Sequence, residues 1–428
     1  MSMLRQNHAL AAILDASEDL LAAAEGLAPD DIVRRLEAGT MVLLANPGHA
    51  GVLPTLIGQP AAIKVNANIG TSPMNCDVAA ELAKLRVCED AGAHAVMDLS
   101  TAGDLDAVRQ SILAATRLPL GTVPIYGLAQ ALMAAEADPA DFAPEDLLAE
   151  IDKQARQGVD FMTLHAGDTL RAATMAAEAG GRVMGIVSRG GSILARWMAR
   201  RGEENPLLTR FDDVLDICRA HNVTISLGDG LRPGAGPDAG DRAQMEEVIV
   251  LGELTKRCRQ AGVQAMIEGP GHVPLHLVQS QIQAIKRLTD GAPLYVLGPL
   301  VTDSAPGHDH IGAAIGGALA GQYGADFLCY VTPAEHLALP DAGDVRQGVK
   351  ASLIAAHATE LALGRPRAVA RDLAMSQARK DLDWETMADL SLDPELVRDR
   401  RARSGAAKED RECAMCGKFC AVKMLENL

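Results

Sequence analysis

The chain has 428 residues, 48% of them hydrophobic and 3% aromatic, and a formal net charge of −16. That length can bury a large core and implies two or three structural units. The charge excludes nucleic acid and anionic membrane surfaces as general partners, because both would repel the protein; an anion is admissible only where cations gather locally.

The first residues carry no basic segment leading into a long apolar run, and Asp15, Glu18 and Asp19 interrupt the apolar stretch after His8, so no signal peptide is expected. Leu10–Ala24 and Ala28–Ala38 read as helices and Thr40–Leu44 as a strand. Residues 1–60 are expected to form a helical cap or dimer-forming region without a catalytic group. Ile311–Gly321, rich in glycine and alanine, is too short for a bilayer and reads as a tightly packed buried helix. Cys76, Cys88, Cys218, Cys258 and Cys329 are scattered singly, as reduced core thiols of a cytoplasmic protein would be.

From Ala61 onward, short apolar runs alternate with helical stretches. The runs are Ala61–Ile69, His94–Leu99, Leu118–Tyr126, Phe161–His165, Val183–Ser188, Val223–Leu227, Val263–Glu268, Leu294–Pro299 and Phe327–Val331. Strands this apolar, separated by helices, belong to a parallel sheet buried on both faces. Their number favours a closed (β/α)8 barrel over residues 61–345, although nine candidates compete for eight places. No Gly-x-Gly-x-x-Gly follows the first strand, which argues against a dinucleotide-binding fold.

Polar residues gather at the C-terminal ends of these runs, where barrel enzymes keep their sites. Arg189 and Arg232, with Ser188 and the Gly190-Gly191 amides, make a cradle suited to a phosphate. Asn68, Asp229 and Glu268 suit ribose hydroxyls or an amino-heterocycle, and Tyr126 and Tyr295 suit a flat ring or, equally, the core. His272 and His336, in separate loops, are candidates for a metal, with His276, His308 and His310 as competitors.

Residues 346–428 read as a C-terminal helical domain, with helices at Asp344–Leu363 and Arg371–Leu390 and a mobile tether over Arg398–Glu412. It ends in Cys413-Ala-Met-Cys416-Gly-Lys-Phe-Cys420. Three thiolates without a fourth nearby ligand suit a [4Fe–4S] cluster that leaves one iron open to an exogenous ligand. A zinc knot completed by a distant histidine and a trio of ordinary thiols are the other readings of this spacing. A tether beside a metal-binding tail is what a lid over the barrel mouth would need.

Dense motifs run from about Lys64 to the C-terminus: Val65-Asn-Ala-Asn-Ile-Gly70, Val96-Met-Asp-Leu-Ser-Thr101, Gly185-Ile-Val-Ser-Arg-Gly-Gly-Ser192, Ser226-Leu-Gly-Asp-Gly-Leu-Arg-Pro-Gly234, Ile267-Glu-Gly-Pro-Gly-His-Val-Pro274 and Leu328-Cys-Tyr-Val-Thr-Pro-Ala-Glu-His-Leu337. Together they resemble the phosphomethylpyrimidine synthase family, which makes the pyrimidine of thiamine. The resemblance implies a homodimeric (β/α)8 barrel and non-standard radical S-adenosylmethionine chemistry, fed by an electron donor such as flavodoxin or ferredoxin. It implies that 5-aminoimidazole ribonucleotide is held by Asn68, Met97, Tyr126, His165, Ser188, Arg189, Gly190, Asp229, Gly230, Leu231, Arg232, Glu268 and Tyr295. His272 and His336 would hold zinc, and Cys413, Cys416 and Cys420 the [4Fe–4S] cluster, which reaches the partner subunit's site. The implied products are 4-amino-5-hydroxymethyl-2-methylpyrimidine phosphate, formate and carbon monoxide.

The sequence departs from the family pattern beside these contacts. Gly127 follows Pro-Ile-Tyr where Gln is usual, Asp168 follows His-Ala-Gly where an apolar residue is usual, Ala235 replaces Cys and His308 replaces Tyr. Three residues, not four, separate Cys416 from Cys420, as in compact members. A related branch, 5-hydroxybenzimidazole synthase, acts on the same ribonucleotide to make the lower base of anaerobic cobamides, and it is the alternative to the thiamine activity.

Overall fold

The computed structural model describes residues 2–178, 180–405 and 411–424. The chain falls into two compact units, Met1–Ala356 and His357–Leu428. No helix among the described residues is long and apolar enough to cross a membrane.

In the first unit a small antiparallel hairpin, β1 (Val42–Leu44) and β2 (Thr55–Ile57), precedes the main sheet. The sheet comprises β3 (Lys64–Ile69), β4 (Ala95–Asp98), β5 (Leu120–Thr122), β6 (Phe161–Leu164), β7 (Thr224–Leu227), β8 (Ala265–Glu268), β9 (Leu294–Leu297) and β10 (Phe327–Cys329). These eight pair in parallel and close when β10 meets both β9 and β3, giving the expected (β/α)8 barrel. Three aromatic rings meet in its interior: Tyr295 lies 4.5 Å from Phe327, and Phe327 meets Phe161 edge-on at 6.4 Å.

The surplus ninth run, Val183–Ser188, is not a strand. Val183 and Met184 are exposed, and their backbone N–H groups donate to the carboxylate of Asp238 instead of to a neighbouring strand. Gly185, at φ 63°, turns the chain so that Ser188 can cap the helix Arg189–Arg201. The Leu118–Tyr126 run is shorter as a strand than expected, because Pro124 opens a helix, Pro124–Ala134, at its first position. The glycine-rich helix Asp309–Tyr323 is buried on one face only. A Cβ at Gly316 would lie 1.9 Å from the Pro299 carbonyl, so glycine permits the close approach, while Ile311 and Ile315 on the other face stay half exposed.

The N-terminal segment covers the end of the barrel where the strands begin. The residues just before the strands supply the clamps. Gln264 accepts from the Leu43 amide and donates to its carbonyl, and Asn222 donates to Ala45. Asp160 accepts from Asn46, and Asp326 from Gln59. Beneath β3, Lys64 is paired with Glu25 at 2.8 Å, both nearly buried. Every strand-start polar group in this set thus finds a backbone or charge partner, which burial requires.

In the second unit the expected helix over Arg371–Leu390 is two, Pro366–Asp381 and Trp384–Leu390. Leu382 adopts a left-handed φ of 55°, and Asp383 caps the second helix by accepting from the Thr386 amide. The first part of the expected tether is also helical, within Pro394–Ala402; residues 406–410 lie outside the described set. Beyond them, Trp384 Nε1 donates to the Arg411 carbonyl and Arg401 to the Glu412 carbonyl, pinning the start of the cysteine run.

Candidate active site

The C-terminal ends of the barrel strands open on a cavity whose empty space, part of it continuous with solvent, is about 530 Å³. Asn68, Met97, Tyr126, His165, Ser188, Asp229, Arg232, Glu268 and Tyr295 line it, most of them at the ends of different runs. Arg189 lines an adjoining opening that shares Asn68 and extends to Glu335 and His336. Of the residues singled out from sequence, Gly190, Gly230 and Leu231 do not line the cavity with side chains. They act beneath it through the main chain. A Cβ at Gly190 would sit 2.4 Å from His165 Cε1, and Leu231 turns its side chain into a small buried cluster with Ala172 and Ala176.

The hydrogen bonds fix most of these groups. Asn66 donates to Tyr295 Oη at 2.7 Å and to Asn68 Oδ1 at 2.9 Å, and Asn68 in turn donates to Cys329 Sγ at 3.1 Å. Glu268 Oε1 accepts from Thr163 at 2.6 Å and Ser226 at 2.9 Å. Arg232 donates to Asp229 Oδ1 at 3.1 Å, and Asp229 Oδ2 is buried with no protein partner, so it is the oxygen left for a ligand. Burial pushes the Asp229 carboxyl well above its usual range, against the opposing charge of Arg232.

Ser188 organises the anion side. Its hydroxyl oxygen accepts from the Gly191 amide as the helix cap and shares a hydrogen bond with His165 Nε2, 3.0 Å away, in a direction set by the imidazole tautomer. Burial, reinforced by the charge of Arg232, pulls the His165 pKa down to about 3, so the ring is neutral and serves as a hydrogen-bonding group. The Arg189 guanidinium lies 5.0 Å from the Tyr126 ring centre, a cation–π contact that holds it over the cavity. With the amides that open the helix Arg189–Arg201, this arrangement has the chemistry to suit an anion.

His272 and His336 come together, with ring centres 5.2 Å apart. His272 Nδ1 is 2.7 Å from Asp303 Oδ1, which leaves Nε2 available. His336, at a left-handed φ of 61°, has Nδ1 3.6 Å from Asp309 Oδ1. The competitors His308 and His310 face each other at 6.4 Å. Among the described residues no group of three or more His, Cys, Asp or Glu is arranged to hold a metal. Two imidazoles alone fit an open site in which small ligands fill the remaining positions.

The cysteine run is a tight loop. Gly417 donates to the Cys413 carbonyl at 3.0 Å, a short 3-10 turn covers Gly417–Phe419, and Cys420 follows it. The amides of Cys416 and Met415 favour the Cys413 thiolate and hold its pKa below the usual thiol value, while the Cys413 thiolate pushes Cys416 up. Cys413 and Cys416 meet side by side, but with Cys420 they form no preassembled metal-holding group among the described residues.

Sequence reasoning missed several groups here. Cys329, expected in the core, is buried but lines the cavity beside Asn68. Its place as the last residue of β10, a strand-end position, was the available signal. Thr163 and Ser226 lie within strands and were passed over as barrel core. Asp168 and Glu247, both buried at the foot of the Asp229–Arg232 loop, were not joined, because nothing in their spacing places them in contact.

Polar side chains from many strand ends around one anion-accepting mouth define a (β/α)8-barrel enzyme. Comparison with known proteins makes this specific: the chain belongs to the Radical SAM ThiC family, whose model matches residues 5–427. Membership implies a [4Fe–4S] cluster and S-adenosylmethionine. The phosphomethylpyrimidine synthase of Geobacter metallireducens is 51% identical over 407 residues, 95% of this chain and 93% of the relative. That of Syntrophus aciditrophicus is 49% identical over 405 residues, 95% and 94% of the two chains. That of Dehalococcoides mccartyi strain BAV1 is 49% identical over 430 residues, 100% and 98%.

Proposed function

We propose that this enzyme is a phosphomethylpyrimidine synthase, which rearranges 5-aminoimidazole ribonucleotide to 4-amino-5-hydroxymethyl-2-methylpyrimidine phosphate with release of formate and carbon monoxide. The observation that carries the reading is the lining of the barrel cavity by Asn68, Met97, Tyr126, His165, Ser188, Asp229, Arg232, Glu268 and Tyr295, in a chain about half identical to such synthases along nearly its whole length.

Cys413, Cys416 and Cys420 would hold the [4Fe–4S] cluster, which with S-adenosylmethionine would supply radical initiation. The rest falls to the protein. Arg189 and the amides beginning at Gly190 hold the phosphate, Ser188 and neutral His165 orient it, and Arg232 offsets its charge. Asp229 Oδ2 and Glu268 accept from ribose hydroxyls, and Asn68 bonds the aminoimidazole. Met97 and the Tyr126 and Tyr295 rings shape the cavity and keep water from reactive intermediates. Gly230 and Leu231 contribute main chain, and His272 and His336 hold zinc. The enzyme acts in the cytoplasm as a homodimer served by a small electron carrier such as flavodoxin or ferredoxin.

The position of one departure, Gly127, favours the pyrimidine product over the benzimidazole. Gly127 faces Glu150 on the neighbouring helix, not the cavity, because a Cβ there would lie 2.7 Å from Glu150 Oε1. The test is anaerobic incubation of the cluster-loaded protein with reductant, S-adenosylmethionine and 5-aminoimidazole ribonucleotide, with mass spectrometry of the products. A hydroxymethylpyrimidine phosphate is expected. A 5-hydroxybenzimidazole, or 5′-deoxyadenosine with neither base, would overturn the assignment.

A further inference from the structure

Asp168 and Glu247 present a problem that their burial makes acute. Asp168 is fully buried in the loop after β6; the Gly230 amide lies beside it, but neither carboxyl oxygen has a well-aligned hydrogen-bond donor from the main chain or a neutral side chain. Glu247, 1% exposed on the helix Arg242–Ala261, receives only the Leu231 amide, 3.2 Å from both of its oxygens. Two adjacent bare carboxylates in a low-dielectric interior are untenable, since each unsatisfied charge costs several kcal/mol.

The surroundings add more negative charge than positive. Asp229 faces the pair from the loop after β7, and Glu268 on β8 adds its charge to Asp229, with Arg232 and Arg182 as the cations; His165, on the same loop as Asp168, is neutral. A site that accepts a phosphate cannot also carry four ionised acids. One proton resolves both difficulties, because Glu247 then donates to Asp168.

We infer that Asp168 and Glu247 share a single proton and act as one positioning element, holding the Asp229–Arg232 loop in the shape that admits the substrate's phosphate. The inference rests on the proposed synthase activity and deepens it. The contacts are direct. Asp168 lies so close under Gly230 that a Cβ there would come within 1.9 Å of Oδ2, and Glu247 holds the next amide, that of Leu231. Removing the proton sets two like charges against each other beneath this main chain, displacing Asp229 and Arg232 and adding negative charge beside the phosphate. Burial, offset by the Glu247 hydrogen bond and augmented by Asp229, places Asp168 at about 6, and burial with the Asp168 charge lifts Glu247 further. The pair therefore keeps its last proton through neutral pH.

The test has two readouts on the cluster-loaded protein. Infrared spectroscopy at neutral pH should show a protonated-carboxyl C=O band that is lost in both Asp168→Asn and Glu247→Gln but kept in Asp229→Asn, which separates it from any band of the raised Asp229 carboxyl. Calorimetric titration with 5-aminoimidazole ribonucleotide should show wild-type affinity held through neutral pH and falling above it by up to about tenfold per unit, while either amide variant, a permanent donor, flattens that fall. Having the two variants on different elements keeps the test decisive if one fails to fold. A band that persists in both variants overturns the shared proton, and a pH slope that survives in both overturns the link to the substrate. Failure of the wild type to bind the ribonucleotide at any pH would strike the synthase assignment instead, and the band would still decide the pair.

Discussion

His49 and Asp160 form a fully buried ion pair at the end of the barrel away from the cavity, with Nδ1 2.7 Å from Oδ2. The other ring nitrogen faces the Thr116 carbonyl at 3.1 Å, so both nitrogens meet acceptors and both must carry protons. Asp160 also accepts from the amides of Asn46 and Leu120, which suits a carboxylate even though burial pushes its pKa up. For His49, burial lowers the pKa, but the hydrogen bond and charge of Asp160 outweigh it and the net direction is upward.

Removing one partner leaves the other charge uncompensated. His49→Gln should cost about 3 kcal/mol in thermal or denaturant unfolding. Because the folded pKa is raised, the pair's contribution is complete below the unfolded histidine value of about 6.5 and is lost as pH rises through the folded value. The wild-type advantage over the variant should shrink toward alkaline pH. A gap that widens instead would show that the histidine is buried neutral.

Ser188→Ala removes the cap on the helix Arg189–Arg201 and frees the His165 tautomer. Ribonucleotide affinity should fall about tenfold, the equivalent of one hydrogen bond of about 1.4 kcal/mol. Since His165 stays neutral from about pH 5 to pH 8, the loss should be constant across that range in a titration. A loss confined to the acidic end would place the imidazole's titration in the working range.

In cluster-free protein, Cys413 should alkylate faster than Cys416. The amides of Cys416 and Met415 stabilise the Cys413 thiolate, whereas Cys416 serves as its donor. Timed iodoacetamide labelling with peptide mapping measures the order. Iron and sulfide loading should abolish the difference by protecting both.

Gly127→Gln should destabilise without redirecting the chemistry. The added side chain meets Glu150, which accepts from Gln154, which accepts in turn from Thr122 on β5. A cost of about 1–2 kcal/mol is expected in unfolding experiments, with the same product by mass spectrometry. A changed product ratio would show that this helix contact reaches the cavity.

The barrel was legible because parallel strands buried on both faces leave uninterrupted apolar runs, and β3, β4, β6, β7, β8, β9 and β10 each lie within one. Val183–Ser188 imitates such a run, but Val183 and Met184 face solvent, and the hydrogen bonds to Asp238 make the segment a turn. Site residues at strand ends announced themselves through motif and position. Asp168 and Glu247 did not, because 79 positions in the chain separate two acids whose meeting depends on how the helix Arg242–Ala261 packs. Gly230 and Leu231 were found, but as apparent ligand contacts; their work through the main chain appears only once Asp168 and Glu247 are seen beneath them.

The clamps beneath the barrel have a consequence for how its mouth can change. Gln264, Asn222, Asp160 and Asp326 tie the strand starts to the N-terminal segment with complementary partners, so rigidity is concentrated at that end. The opposite rim is frustrated: acids outnumber cations there, and one carboxylate oxygen of Asp229 stays unanswered. Such tension persists only where the scaffold resists relaxing it. Substitutions at the rim can therefore retune substrate preference with little effect on folding, whereas a change among the clamps would let the rim relax and blunt the site from the far side of the molecule.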